Sequence, residues 1–355
     1  MTVSAFEPPK TAPAAAAVNT RRFLPILTLL LVILLAPLTA ACAPRLQAAG
    51  PLAENPITAM LTDTEYVTAD GIHLPLRRWL PNPEKPRAAI VALHGFNDYS
   101  NAFTGIGAFL AASGVAVYAY DQRGFGAAPQ TGIWPGAELL TEDAHSFAAL
   151  VRAAHPGVPV YALGESMGGA VLMAAHDAAD LDVDGFILVA PAVWGRVAMP
   201  GYQTAALWLT VHTLPWMTLS GEGLNIAPSD NIEMLRALSR DPLVIKQTRV
   251  DAMWGIVNLM DGALDAARRF DAPALFLYGA KDEIVPPDAT LRMFANLPVT
   301  AGRTIAVYDK GYHMLLRDLQ AGTVWQDVLV WIGDRRAALP SGADRVDPKA
   351  ALAGR

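Results

Sequence analysis

The chain has a single cysteine, Cys42, among its 355 residues. One cysteine cannot form a disulfide within the chain, and it cannot by itself build a thiolate metal site. Positive charge is also sparse: 27 Lys and Arg against 33 Asp and Glu leave a net charge of −6. That balance argues against a nucleic-acid partner, which would need a basic face. No repeat at a solenoid period is present, and 53% hydrophobic residues favour a large globular core.

A long apolar run lies close to the N-terminus. Arg21 and Arg22 precede the uncharged residues 23–41, and small residues come directly before Cys42. This order is typical of a secretory signal. A cysteine directly after the small residues resembles a bacterial lipoprotein signal, although Thr39 stands where leucine is usual. We predict a signal or anchor segment over residues 1–42, with lipid attachment at Cys42.

Two other interpretations of this segment stay open. The run is about long enough to span a bilayer, which fits an uncleaved membrane anchor. A signal that is cleaved without lipidation fits the same layout. All three place the rest of the chain outside the cytoplasm. We expect it to be held at a membrane, on the outer side of the cytoplasmic membrane or in the outer membrane.

The rest of the chain divides into three parts. Residues 43–60 contain three prolines, which prevent regular structure, and predict a linker. Residues 61–336 carry the regular apolar patterns and predict one folded domain. Residues 337–355 predict a disordered tail.

Short apolar runs alternate with helical patterns through the folded domain. Residues 65–68 and 72–80 flank Asp70-Gly71, a dipeptide typical of a tight hairpin turn. Six later runs are short and mainly apolar, as expected of buried parallel strands. They cover residues 88–93, 115–120, 158–163, 186–189, 274–278 and 304–308. The helical patterns cover residues 102–112, 139–154, 167–178, 289–297 and 323–335. This alternation predicts an α/β fold with a mostly parallel central sheet flanked by helices.

One connection interrupts the alternation. About residues 194–271, between strands 6 and 7, show no buried strand followed by a crossover helix, and they predict an inserted helical cap. Its large apolar side chains are candidates for a substrate-binding tunnel: Trp194, Trp208, Trp216, Met217 and Trp254. Simple packing inside the cap explains them equally well, and both interpretations can hold together.

The strongest chemical motif is G-E-S-M-G at residues 164–168. It joins a predicted strand to a predicted helix, which is the context that makes G-x-S-x-G meaningful. Such a tight turn needs glycines on both sides of the serine for steric reasons, and the following helix N-terminus favours developing negative charge. We predict that Ser166 is a nucleophile.

A serine nucleophile needs a base, and the base needs an acid that orients it. In folds with this elbow the chain order is serine, acid, histidine. His313 follows the strand run 304–308, and Asp282 directly follows the run 274–278. We predict them as base and acid, with Glu283 the nearest rival for the acid and Asp309 a distant one.

The loop after residues 88–93 carries His94, Gly95 and Phe96. In this kind of site that loop supplies one backbone N–H to the oxyanion, and the residue after the nucleophile supplies the other. We therefore predict Phe96 and Met167 as the oxyanion donors. His94 is expected to hold the loop rather than to act as a second base. The other histidines show no metal-ligand spacing, so no metal is expected.

The motifs together resemble the monoacylglycerol lipase and lysophospholipase branch of the α/β-hydrolases. Matching pieces occur in the same order at residues 94–100, 120–126, 164–169, 190–191, 241–243, 279–282 and 311–315. The resemblance covers roughly residues 65–335, and it implies monoacyl ester substrates and no cofactor. Two positions depart from it: Ala128 replaces a common serine, and Glu165 replaces a common histidine before the nucleophile. Both leave the substrate preference open.

We expect a serine carboxylic ester hydrolase that acts on monoacylglycerols or lysophospholipids through an acyl-enzyme. An esterase for small or aromatic esters, or an acyltransferase with the same residues, is the alternative within the enzyme class. A lipid-binding surface lipoprotein without activity is the alternative from another class. The intact set of Ser166, Asp282 and His313 argues against that last alternative.

Overall fold

The computed structural model describes residues 43–82, 85–299 and 302–352. The predicted signal segment, with Cys42, lies outside the described residues. From Pro44 onward the chain packs as one unit. Across the described ranges, no helix combines the length and the apolar character needed to cross a membrane.

A nine-stranded sheet forms the centre of the described domain. Its strands are β1 (Met60–Leu61), β2 (Glu65–Val67), β3 (His73–Trp79), β4 (Ala88–Leu93), β5 (Val115–Tyr120), β6 (Val160–Glu165), β7 (Gly185–Val189), β10 (Ala274–Gly279) and β11 (Arg303–Tyr308). The spatial order is β1-β2-β3-β5-β4-β6-β7-β10-β11. From β5 to β11 every pair is parallel, and β1 to β3 form an antiparallel extension. The predicted mostly parallel sheet is confirmed.

Helices cover both faces of this sheet. They are α1 (Thr104–Ala112), α2 (Ala137–Ala154), α3 (Met167–Ala178), α4 (Gly201–Thr213), α5 (Ile232–Arg240), α6 (Val250–Ala266), α7 (Pro287–Asn296), α8 (Ala321–Gly333) and α9 (Pro348–Leu352). Alternate residues of β4 enter two different cores, because successive side chains of a strand point to opposite faces. Val91 packs in the core that includes Phe147 of α2, and Ile90 packs in the core that includes Trp331 of α8. Burial on both faces explains the uninterrupted apolar strand sequences.

The cap lies between β7 and β10, the sixth and seventh strands predicted from the sequence. It contains α4, α5 and α6, together with an antiparallel ribbon of β8 (Thr218–Ser220) and β9 (Gln247–Arg249) that the helical prediction lacked. Helix α6 packs against the main domain as well as against the cap. Its residues Leu259 and Ala263 are buried in the same core as Val171 of α3. The C-terminal part of the predicted cap therefore belongs to the main domain.

The predicted linker runs along the domain surface without forming a helix or a strand before Met60. The Gln47 N–H donates to the Trp134 carbonyl at 3.0 Å, and the Gly50 N–H donates to Asp70 Oδ2 at 2.9 Å. The prolines block regular structure there, but these hydrogen bonds still fix the segment to the domain.

The C-terminal segment differs from the predicted disordered tail. Leu339, Ala343 and Leu352 are buried, and the last of these lies in the short helix α9. Ser341 donates from its N–H and its hydroxyl to the buried carboxylate of Asp327, which also accepts from Tyr308. A buried carboxylate needs such donors, and the tail provides two of them. Low helical and strand periodicity does not reveal this kind of packing.

Candidate active site

Ser166 occupies a sharp turn between β6 and α3. Its backbone has φ +53° and ψ −114°, a conformation that is uncommon and strained for a residue with a side chain. The two motif glycines are required by close backbone approach. A Cβ at Gly164 would lie 2.5 Å from the Gly169 nitrogen, and a Cβ at Gly168 would collide with the Leu93 oxygen. The turn therefore holds Ser166 at the carboxyl end of β6, where it is 9% exposed.

Asp282 and His313 form a buried pair in the loops after β10 and β11. Asp282 Oδ2 lies 2.8 Å from His313 Nδ1. The other carboxylate oxygen accepts from the N–H groups of Ile284 and Val285, at 2.8 and 2.9 Å. The rival acid Glu283 instead accepts from a backbone N–H of the cap. Of the two carboxylates, only Asp282 is hydrogen-bonded to the histidine.

The environment of His313 favours its protonated form. Burial is the largest single influence and lowers the pKa of the imidazole, but the Asp282 carboxylate and the Glu165 carboxylate outweigh it. The pKa of His313 therefore lies above its ordinary value. Because Asp282 faces Nδ1, the neutral ring carries its proton there and leaves Nε2 as an acceptor. This is the tautomer that a general base needs.

The three predicted residues share one edge of the sheet. Ser166 follows β6, Asp282 follows β10 and His313 follows β11, all of which run in parallel. Sites in open parallel sheets form at this carboxyl edge. Among the described residues, no group of His, Cys, Asp and Glu side chains is arranged to hold a metal ion.

The loop after β4 packs against the nucleophile turn. A Cβ added to Gly95 would lie 3.4 Å from Ser166 Cβ, so the backbone just before Phe96 passes close to the serine. The Phe96 ring packs edge-on against Phe125 at a centroid distance of 5.5 Å. On the other side of Ser166, Met167 is the first residue of α3, and its N–H has no acceptor within the helix.

His94 holds this loop from inside the protein. Its Nδ1 lies 2.8 Å from the Gly95 carbonyl, and its Nε2 lies 2.9 Å from the Gln122 N–H. The Gln122 side chain also donates to the His94 carbonyl at 2.8 Å. Burial lowers the pKa of His94, which favours a neutral ring that donates at Nδ1 and accepts at Nε2. The structure therefore places His94 in a supporting position.

The five apolar side chains predicted to bind substrate differ in their surroundings. Trp194 packs against the main core, whereas Trp208 and Trp216 are 55% and 48% exposed. Met217 is half-buried. The Trp254 ring lies under the Arg196 guanidinium, 4.2 Å from its centroid. Their part in binding the substrate stays a prediction.

The cap contacts the oxyanion loop through polar residues that the sequence reasoning did not assign. The Tyr99 hydroxyl donates to Asp241 at 2.7 Å, and the Asn97 side chain donates to the Thr248 hydroxyl at 2.6 Å. Asp241 stands in one of the family-like motifs, but only the fold reveals its partner. These contacts tie the cap to the loop that carries Phe96.

A parallel sheet with a strained serine elbow and a buried Asp–His pair defines the chain as an α/β-hydrolase. The model of the protein family described as serine aminopeptidase, S33 (Hydrolase_4), matches residues 84–320. This match covers more than half of the chain, and the chain belongs to that family.

Known relatives and a solved structure agree with this assignment. Human monoglyceride lipase is 26% identical over 288 residues, which cover 76% of this chain and 90% of that protein. An uncharacterized abhydrolase domain-containing protein of Dictyostelium discoideum is 23% identical over 273 residues, but the chain spans only 29% of its length. The crystal structure of Paleococcus ferrophilus monoacylglycerol lipase has the same fold, with a TM-score of 0.62 and 23% identity, covering 74% of this chain and 99% of that chain. The solved structure shows the shared fold. The family match and the relative confirm the predicted branch, and the chain is a carboxylic ester hydrolase.

Proposed function

We propose that this protein hydrolyses monoacyl lipid esters through Ser166, His313 and Asp282, with an acyl-enzyme intermediate. The observation that carries the proposal is the buried 2.8 Å contact between Asp282 and His313, at the sheet edge that also holds the Ser166 elbow. The three residues follow strands that end at this edge, and their chain order is the one expected for a serine hydrolase.

The chemistry proceeds in two halves. The Ser166 oxygen attacks the ester carbonyl while His313 Nε2 takes the hydroxyl proton. The backbone N–H groups of Phe96 and Met167 stabilise the oxyanion, and each such donor contributes about 3 kcal/mol in comparable sites. His313 then gives its proton to the leaving alcohol. In the second half, His313 takes a proton from water as the water oxygen attacks the acyl-enzyme carbonyl. His313 then returns this proton to the Ser166 oxygen as the acid leaves.

A lipid substrate is supported by the relatives and by the surface of the cap. Two proteins similar to this chain bear the names monoglyceride lipase and monoacylglycerol lipase. The cap also exposes many large apolar side chains: Tyr202, Trp208, Leu209, Leu214, Trp216, Leu219 and Leu224. Exposed apolar patches of this kind usually mark interaction sites. A long acyl chain fits this surface better than a small polar ester does.

The activity can be tested with a serine-directed fluorophosphonate and a monoacylglycerol. We expect the wild-type chain to be labelled once, at Ser166, and to release fatty acid. Ser166→Ala should fold normally and lose hydrolysis by several orders of magnitude, because the three residues act as a unit. Labelling at another serine, or near-normal hydrolysis by the variant, would overturn the assignment.

A further inference from the structure

One buried arginine contacts two carboxylates beside the candidate active site. Arg317 Nη2 lies 2.6 Å from Asp98 Oδ2 and 3.2 Å from Glu165 Oε2. The side chains of Arg317, Asp98 and Glu165 are 13%, 9% and 1% exposed. Solvent therefore screens these contacts far less than it screens an ion pair at the surface.

Each of the three residues belongs to a different loop of the site. Asp98 lies in the loop after β4 that carries Phe96. Glu165 is the last residue of β6 and directly precedes Ser166. Arg317 lies in the loop after β11 that carries His313. One guanidinium therefore joins the loops of the proposed oxyanion donor, nucleophile and base.

The Arg317 end of this network is held firmly by its own surroundings. The Arg317 N–H donates to the Met314 carbonyl at 2.8 Å, and the Arg317 carbonyl accepts from Asn231 of the cap at 2.9 Å. The next residue, Asp318, accepts from the Tyr312 N–H and from the Ser229 hydroxyl, at 2.8 and 2.6 Å. Because these hydrogen bonds fix the loop, the Arg317 side chain extends from a fixed backbone. Its guanidinium can therefore hold Asp98 and Glu165 in place.

Stability alone is a poor explanation for this cluster. Removing charges from water costs more than an imperfect ion pair returns, and an apolar replacement of similar volume is often neutral or stabilising. Here the pairing is imperfect: Glu165 Oε1 and Arg317 Nε have no hydrogen-bond partner among the described residues. A role in fixing the geometry of the active site explains the cluster better.

We propose that Arg317, through Asp98 and Glu165, is a positioning residue that fixes the oxyanion loop, the nucleophile turn and the base loop relative to one another. The proposal rests on the ester hydrolysis proposed above and adds to it. A misplacement of about 1 Å in such a site can lower the rate by about 10²-fold. Arg317 positions the reacting groups through their loops, and its charge also lowers the pKa of His313.

The first test compares Arg317→Met with Arg317→Lys on a monoacylglycerol substrate. Arg317→Met should lower kcat by about 10²-fold with little change in KM, because the substrate still binds. Arg317→Lys should retain a larger share of kcat, because one Nη2 contacts both carboxylates and a single ammonium can replace it. Arg152→Met is the matched control, since Arg152 pairs with Asp182 and Asp184 at the opposite edge of the sheet. That control should keep the wild-type kcat.

A second test measures the pH profile of kcat/KM, which a merely structural role of the cluster would not change. Asp282 and Glu165 raise the pKa of His313, and Arg317 lowers it. The carboxyl group of Asp318, in the same loop, also interacts electrostatically with His313. Glu165→Gln keeps the side-chain shape and removes one negative charge. The pKa of His313 should then fall, and the acid limb of kcat/KM should move to lower pH. If Arg317→Met does not fold, Glu165→Gln still tests the proposal.

The two proposals fail in different ways. Fluorophosphonate labelling and hydrolysis by the wild-type chain establish the activity independently of Arg317. If the wild type is active but Arg317→Met keeps its kcat and Glu165→Gln keeps its pH profile, the positioning proposal is wrong and the hydrolase proposal stands. A wild type that is neither labelled nor active contradicts the hydrolase proposal itself.

Discussion

Asp282 uses both of its carboxylate oxygens: Oδ2 faces His313 Nδ1 at 2.8 Å, and Oδ1 accepts from the N–H groups of Ile284 and Val285. The hydrogen bonds from the backbone prevent the carboxylate from rotating. Oδ2 therefore keeps its orientation toward the imidazole. Two chain segments after neighbouring strands are thereby locked into one acid–base pair.

The first prediction concerns this pair. Asp282→Asn should preserve the fold and lower kcat by roughly 10⁴-fold, by analogy with the known effect of the same change in a serine protease triad. An amide nitrogen in place of the carboxylate oxygen favours the wrong imidazole tautomer. The measurement is kcat on a monoacyl ester, with Glu283→Gln as the matched control. If Glu283→Gln proves far more damaging than Asp282→Asn, the acid has been assigned to the wrong residue.

A second prediction follows from the strained backbone at Ser166. At φ +53°, a residue with a Cβ has a backbone energy about 1 kcal/mol or more above that of glycine. Ser166→Gly should therefore unfold at a higher urea concentration than Ser166→Ala, although we expect both to be inactive. Ser113, with φ −97°, is the control position, and there the alanine variant should be the more stable. Equal midpoints for the two Ser166 variants would show that the turn stores no such strain.

A third prediction concerns acyl-chain length. Each buried CH₂ contributes about 0.8 kcal/mol, so kcat/KM should rise with chain length until the binding site is filled and then level off. The measurement is kcat/KM for monoacyl esters of increasing length at fixed head group, kept below the concentration at which they form micelles. A maximum at the shortest acyl chains, or a preference for aromatic acyl groups, would favour the small-ester alternative.

A fourth prediction concerns the N-terminal segment, which we propose to be a lipoprotein signal. Cys42 should become a lipidated N-terminus after cleavage, and more than one acyl chain is enough for stable membrane attachment. Metabolic labelling with a fatty-acid probe should tag the wild-type protein and leave Cys42→Ala untagged. Equal tagging of the two would reject lipidation at this residue, and an uncleaved Cys42→Ala chain that stays in the membrane would favour the anchor.

The sequence by itself determined the features that depend on neighbouring residues. Apolar runs predicted the parallel strands, because burial on both faces removes the polar alternation of an exposed strand. The glycines around Ser166 predicted the tight turn, because steric contacts over a few residues decide it. The order of Ser166, Asp282 and His313, each after a strand run, was also visible, since parallel strands end at a common edge.

Only the tertiary structure decided which distant residues meet. Arg317 and Glu165 are 152 positions apart, and no local pattern indicates that their side chains touch. The C-terminal tail was predicted to be disordered, yet Ser341 finds the buried carboxylate of Asp327. The tryptophans of the cap looked alike in sequence, yet Trp194 packs against the main core whereas Trp208 and Trp216 are exposed. Periodicity and turn sterics act within one element, whereas these contacts depend on how the elements pack together.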